Sequence, residues 1–372
     1  MKIAVSAAFG LEKVVSGELF ALGLEKSGGE DGLVFFDGDQ KALATANIML
    51  RSADRVSLVL KEFEALKFED VFQAVRTVPW EEYLKKETKI IVQVKSVRSR
   101  LSSEPALQSV AKKAVVDSLL SRLKGATLPE SGFPARIFLR IHKDRARLFL
   151  NTSGDGLHKR NYAFKRSRAP LRETLAAALV LLSRWKGRDF FVDPFCGGGT
   201  IPIEAAMIMN NIYPAIKRRF DAEYWPSASK EAWESARQEA SSREKECGCF
   251  ILGRDIDPEM TALSVECAKR AGVEKLIRFE TGDACTSALP GESGLLVTNP
   301  PYGERLLGES ETAALMGSLG KALSGYPGWD ISLLTAFPGF EQAFGRKADK
   351  NRKLYNGALK TYLYQYYGEK DG

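Results

Sequence analysis

The chain has 372 residues, of which 44% are hydrophobic and 27% charged, with a formal net charge of +7. At roughly 150 residues per domain this predicts two or three folded domains with a sizeable core, and excludes a disordered, collagen-like or low-complexity chain. No apolar run reaches the roughly 18–20 residues of a membrane helix, and the first residues lack the apolar core of a secretory signal, so no membrane association is expected.

In chain order, residues 2–7 alternate like a strand, and 11–22 carry helical spacing with Gly23 as a C-cap. A short strand at 33–36 ends at Asp37-Gly38, residues 41–50 are helical, and 55–63 form another strand. A second mixed unit follows. It has helical residues 68–75, a turn and short helix at 79–84, a strand at 90–97, an amphipathic helix at 108–123, and a hairpin of 137–141 with 145–150. Gly154-Asp155-Gly156 then marks a boundary. Beyond Arg172, helices alternate with short apolar strands, which argues for a parallel, doubly wound sheet. Helices are expected at 175–185, 200–209 and 258–271. Strands are expected at 189–192, 250–254, 276–280, 295–298, 331–335 and 361–367, and residues 226–247 read as one polar, inserted helix.

Positive charge is concentrated. Between Arg136 and Arg172 stand eleven Lys/Arg against Asp144 and Asp155, and the rest of the chain is close to neutral. Arg160, Lys165, Arg166 and Arg168 interleave with Tyr162 and Phe164, and a second run holds Arg346, Lys347, Lys350, Arg352 and Lys353. Such runs are either solvated faces or phosphate-contacting surfaces with rings for stacking. The five cysteines fit a reducing compartment, so a cytoplasmic location is expected. Two histidines and an isolated Cys247-Gly248-Cys249 give no expectation of a metal site.

Four elements at successive strand ends carry the chemistry. Asp193-Pro-Phe-Cys-Gly-Gly-Gly-Thr200 is a glycine-rich strand–turn–helix, where the backbone can approach a ligand and free helical amides face it. Gly253-Arg-Asp255-Ile-Asp257-Pro-Glu259 places two carboxylates after the next strand. Asp255 suits the hydroxyls of a ribose, and Asp257, before Pro258, suits a helix cap as well as the ligand. Asp283, in Gly282-Asp283-Ala284, could accept from an adenine amino group. Asn299-Pro-Pro-Tyr302-Gly303 cannot continue a sheet or helix. It presents the Asn299 side chain and the Pro300 carbonyl as neighbouring acceptors beside the Tyr302 ring, which suits a planar amino group on a base.

At these residues the sequence resembles class I S-adenosylmethionine-dependent methyltransferases that act on exocyclic amines. The Asp-Pro-Phe-Cys-Gly-x-Gly-Thr and Asn-Pro-Pro-Tyr-Gly-Glu-Arg pair looks like that of the THUMP-containing RNA guanine-N2 methyltransferases, especially the bacterial 23S rRNA branch. The likeness continues in Val78-Pro-Trp-Glu-Glu-Tyr83, Lys95-Ser-Val-Arg-Ser-Arg-Leu101, Gln108-Ser-Val-Ala-Lys-Lys-Ala114, Asn151-Thr-Ser-Gly-Asp-Gly-Leu-His-Lys-Arg160, Ala169-Pro-Leu-Arg-Glu-Thr-Leu175 and Arg352-Lys-Leu-Tyr-Asn-Gly357. It departs at Gly198, Asn151 and Asn161, where the family often has Ser, Asp and Gly.

The resemblance implies an α/β protein whose Rossmann-like class I methyltransferase domain (156–372) is preceded by ferredoxin-like (1–60) and THUMP (61–155) α+β units. It implies S-adenosyl-L-methionine as cofactor, with contacts at Thr174, Asp193, Phe195, Gly197, Gly199, Asp255, Asp257 and Asp283. Asn299, Pro300 and Tyr302 would lie at the target base. Lys159, Arg160, Lys165, Arg166, Arg168 and Arg352 would face RNA. The expected partner is RNA, 23S rRNA first, met by a monomer with no metal and no membrane contact. A tRNA guanine-N2 methyltransferase, a DNA adenine-N6 methyltransferase and a non-catalytic RNA-binding assembly factor remain as alternatives.

Overall fold

The computed structural model describes residues 1–123, 127–163, 171–183, 185–187, 189–302 and 308–369. The first unit contains β1 (Lys2–Ala7), α1 (Glu12–Ala21), β2 (Lys26–Glu30), β3 (Leu33–Asp37), α2 (Gln40–Met49) and β4 (Ala53–Glu64). The second contains α3 (Phe68–Arg76), β5 (Lys89–Val97), α4 (Glu104–Arg122), β6 (Pro134–His142) and β7 (Arg145–Asn151). Both are built on one seven-stranded sheet, ordered β2-β3-β1-β4-β7-β6-β5. The first four strands give the ferredoxin-like order. The 12-residue β4 runs through the expected 60/61 boundary, pairing with β1 on one side and β7 on the other. Strand β2 escapes a sequence reading because Lys-Ser-Gly-Gly-Glu has no apolar alternation. It is an edge strand with a bulge between Lys26 and Gly28.

The third unit runs α5 (Glu173–Ser183), β8 (Phe190–Asp193), α6 (Thr200–Met209), α7 (Lys230–Ser242), β9 (Ile251–Asp255), α8 (Pro258–Ala271), β10 (Arg278–Thr281), β11 (Ser293–Thr298), α9 (Glu309–Leu323), β12 (Gly328–Thr335), α10 (Phe340–Phe344), β13 (Lys350–Asn356) and β14 (Leu359–Tyr366). Its sheet is ordered β10-β9-β8-β11-β12-β14-β13, parallel except that β14 is antiparallel to both of its neighbours. Counted along the chain this is 3-2-1-4-5-7-6, the Rossmann-like layout that the resemblance implies. The order reverses between β8 and β11, where such sheets bind ligands.

Two layers cover the catalytic sheet. Val192, Leu252 and Leu296 face Met316, Leu319, Phe340 and Phe344 of α9 and α10. Phe191, Ile251 and Leu295 face the other way into a core that includes α5 and α6 and continues without a break into Val5, Val15, Phe36, Leu43 and Val56 of the ferredoxin-like unit. Strand β10 starts later than expected because Glu274–Leu276 forms a single 3-10 turn. The polar segment at 226–247 is not one long helix. Ser229 caps α7 by accepting from the Ala232 amide, and Trp233, Ala236 and Ala240 are buried on one face. Trp233 stacks on Phe220, Lys41 pairs with Glu239, and Gln40 binds the backbone at Ser227 and Ser229. The inserted helix therefore clamps the catalytic domain onto α2.

Candidate active site

All four sequence elements meet at the carboxyl edge of the catalytic sheet, joined by hydrogen bonds. The Gly197 amide donates to Asp255 Oδ2 at 2.9 Å, and the Cys196 amide to the Arg254 carbonyl at 2.8 Å. The Gly282 amide donates to the Asp255 carbonyl at 2.9 Å. Thr298 Oγ1 donates to Asp193 Oδ1 at 2.7 Å, linking the ends of β11 and β8 across the switch point. Asp193 is buried, and burial pushes its carboxyl up to about 7 against the pull of the Thr298 hydroxyl and the Phe195 amide.

The glycine-rich turn requires its glycines. Gly199 sits at φ +78°, and a Cβ there would lie 2.9 Å from Ser264 Cβ on α8. Beside Gly197 the space is open, so the turn leaves room on its outer side, while the Phe195, Cys196, Gly197 and Gly199 amides donate within the protein and fix its shape. Asp255 uses Oδ1 for the Asp257 amide as well as Oδ2 for Gly197, which leaves about two of a carboxylate's roughly four acceptor positions. The exposed Asp257 accepts from the Glu259 amide at 2.8 Å and caps α8. Asp283 Oδ1 accepts from the Cys285 amide at 2.7 Å and fixes the turn after β10.

Asn299 leaves β11 with its Oδ1 buried and without a hydrogen-bond partner among the described residues. Such an atom costs about 1–3 kcal/mol if nothing satisfies it. Pro300 is buried beside it, and Tyr302 is half-buried with its hydroxyl pushed up to about 12 by desolvation. Gly303, in the same motif, lies outside the described residues.

The other expected residues are placed differently. Thr174 is buried at the start of α5 and donates to Asp54 Oδ1 of the ferredoxin-like unit at 3.2 Å. Arg160 does not face solvent. Its side chain is 2% exposed, pairs with Glu204 of α6 and donates to the Arg51 carbonyl, while the Tyr162 hydroxyl donates to the same carboxylate at 2.7 Å. Its assignment to RNA is corrected to a buried strut, because Glu204 would otherwise be an uncompensated charge in an apolar helix. Lys159 is exposed and pairs with Asp155. Arg352 is half-buried and reaches the Gly10 carbonyl at 3.5 Å. Lys165, Arg166 and Arg168 lie outside the described residues. Among the described residues no group of three or more His, Cys, Asp and Glu side chains is placed to hold a metal ion, and no helix is long and apolar enough to cross a membrane.

The same three-part architecture appears in comparisons with known proteins. Residues 160–365 match the family model described as "RMKL-like, methyltransferase domain". The chain belongs to this methyltransferase family. Residues 2–57 match the RlmL ferredoxin-like domain and 65–151 the THUMP domain. YpsC of Bacillus subtilis, a candidate RNA methyltransferase, is 39% identical over 98% of this chain and 95% of its own length. The ribosomal RNA large subunit methyltransferase K/L of Aeromonas salmonicida is 34% identical over 96% of this chain, which spans only 53% of that protein. A crystal structure of SMU.472, a candidate methyltransferase complexed with SAH, aligns with a TM-score of 0.92 at 40% identity, covering 100% of this chain and 99% of that one.

Proposed function

We propose that this chain methylates RNA from S-adenosylmethionine, and that its target is the exocyclic N2 of a guanine in 23S rRNA. The observation that carries the reading is the Asn299 Oδ1, unpartnered among the described residues and beside Pro300, at the switch point of a methyltransferase sheet. The relatives named for RNA and ribosomal RNA, and the THUMP match, favour RNA over DNA.

The residues present fit the cofactor. Open space beside Gly197 and the acceptor positions that Asp255 has left form a cradle for a nucleoside. Bound there, S-adenosylmethionine supplies a methyl group on a sulfonium, so the leaving group is already activated. Asp255 holds the ribose hydroxyls, and Asp283 reaches the adenine amino group with the oxygen not engaged by Cys285. Asn299 Oδ1 and the Pro300 carbonyl accept the two protons of the target amine, which orients its nitrogen and draws electron density toward it. The Tyr302 ring stacks on a base extruded from its helix. The hydroxyl of Tyr302, a neutral phenol pushed further above its usual value by desolvation, adds no charge to that face.

The test is transfer of labelled methyl to separated pools of undermethylated 23S rRNA, 16S rRNA, tRNA, DNA and protein, with identification of the labelled nucleoside. N2-methylguanosine in 23S rRNA is the expected result. Label on tRNA moves the substrate, and label only on DNA adenine rejects the reading.

A further inference from the structure

A cleft of about 380 Å³ opens between the ferredoxin-like unit and the β13–β14 hairpin, lined by Phe9, Asp54, Arg172, Lys353, Tyr355 and Gly357 among others. Its position follows from strand register. Thr298 pairs with Leu333, Leu333 with Tyr364, and Tyr364 with Asn351. Asn299, one residue beyond the end of β11, therefore stands level with Arg352, and Lys353 to Gly357 rise beyond it on the same edge. Three strand spacings of about 4.8 Å put β13 about 15 Å from β11. The hairpin closes through the two-residue loop 357–358, with Gly357 at φ +65°, so its tip is tightly turned. Lys353 and Tyr355 alternate along β13 and share the face that lines the cleft, with Gly357 of the loop beyond them.

The chemistry of this lining is specific. Neither Arg172 nor Lys353 forms an ion pair among the described residues, although both border one cavity. The acid beside them, Asp54, accepts from Thr174. Lys353 Nζ lies 5.3 Å from the Tyr355 ring centroid, and the Phe9 ring meets Tyr355 edge-to-face at 5.8 Å. Phe9 is 47% exposed, a large ring left open on a loop between β1 and α1. Two unpaired cations beside an open ring form a site for a phosphate with a base attached.

We propose that this cleft binds a nucleotide of single-stranded RNA a few positions from the target, its phosphate on Arg172 and Lys353 and its base on Phe9. The proposal rests on the RNA reading above and adds to it the path of the substrate across the edge. It gives the ferredoxin-like unit a direct share in the substrate site.

The test uses the full chain, undermethylated 23S rRNA and labelled-methyl kinetics, with cofactor affinity measured separately by calorimetry. Phe9→Ala and Lys353→Glu should each raise KM for RNA about tenfold, the scale of one lost stacked base or phosphate contact, with kcat and cofactor affinity unchanged. Lys353→Glu should also reduce the slope of binding against salt by about one unit, which a purely structural role would not do. Phe9→Tyr and Lys353→Arg should restore wild-type KM. If the wild type labels RNA and both disruptive variants keep its KM and salt slope, the cleft proposal is wrong and the RNA reading stands. If the wild type labels no RNA, both fall.

Discussion

The catalytic edge and the junction beneath the ferredoxin-like unit both bury polar groups, and they satisfy them differently. At the junction, the Glu18 carboxylate takes the Arg51 and Ser52 amides and the Ser52 hydroxyl. Arg51 reaches the Ile212 carbonyl and stacks on Tyr213, and Glu204 takes both Arg160 and Tyr162. Glu18 and Glu204 each have several partners, so the cluster fixes a position. At the catalytic edge Asn299 Oδ1 has none among the described residues, and the Asp193 carboxyl is pushed up to about 7. Arg160 Nε is buried without a partner among the described residues as well, but its guanidinium is held by Glu204 and the Arg51 carbonyl; the Asn299 acceptor stands at the sheet edge where such folds bind ligands.

The widest break in this contrast is Asn299→Ala. It should lower methyl transfer by about 10³-fold, the scale of removing a key polar group from a preorganised site. Calorimetry should still register cofactor binding, and the thermal midpoint should hold, because the lost atom was unsatisfied. Turnover near wild type would sink the assignment. Glu204→Ala should do the opposite: a loss of about 3–5 kcal/mol in chemical denaturation, because Arg160 is left buried without its partner.

The pH dependence sharpens the comparison. The Asp193 and Glu173 carboxyls are both raised to about 7 in the folded chain, chiefly by burial. Each contributes stability that is fully present below the unfolded carboxyl pKa and is lost as pH rises through about 7. The steepest fall is about 1.4 kcal/mol per pH unit for each group. Asp193→Asn should remove one group's share, seen as a flatter denaturation midpoint between about pH 4 and 7. The smallest effect is expected for Gly199→Ala, about 1 kcal/mol from its left-handed backbone and its contact with α8, read by thermal unfolding.

Much of the catalytic edge was legible because its signals are local. Asp193 and Asp255 end strands β8 and β9, Asn299 follows the apolar β11, and Asp283 follows the short β10, and strand ends can be read within a few residues. Arg160 was misread because a basic run looks the same whether solvated or buried. The telling signal lay 44 residues on, in Glu204, the one charge in the apolar helix Thr-Ile-Pro-Ile-Glu-Ala-Ala-Met-Ile-Met. The polar composition of residues 226–247 masks the buried face of Trp233, Ala236 and Ala240 in α7, and nothing local names α2 as the surface that covers it. The Lys350–Asn356 run read as charge alone, and its strand character shows only through pairing with β14.

Strand β4 has a further consequence. Its 12 residues span about 40 Å without interruption and belong to both N-terminal units, while the core beneath it runs on into the catalytic domain. Under the RNA reading proposed above, the molecule would act as a caliper: an RNA held on the N-terminal sheet would offer to the Asn299 edge only the base lying at the matching offset, so a target would be chosen by distance before it is chosen by chemistry.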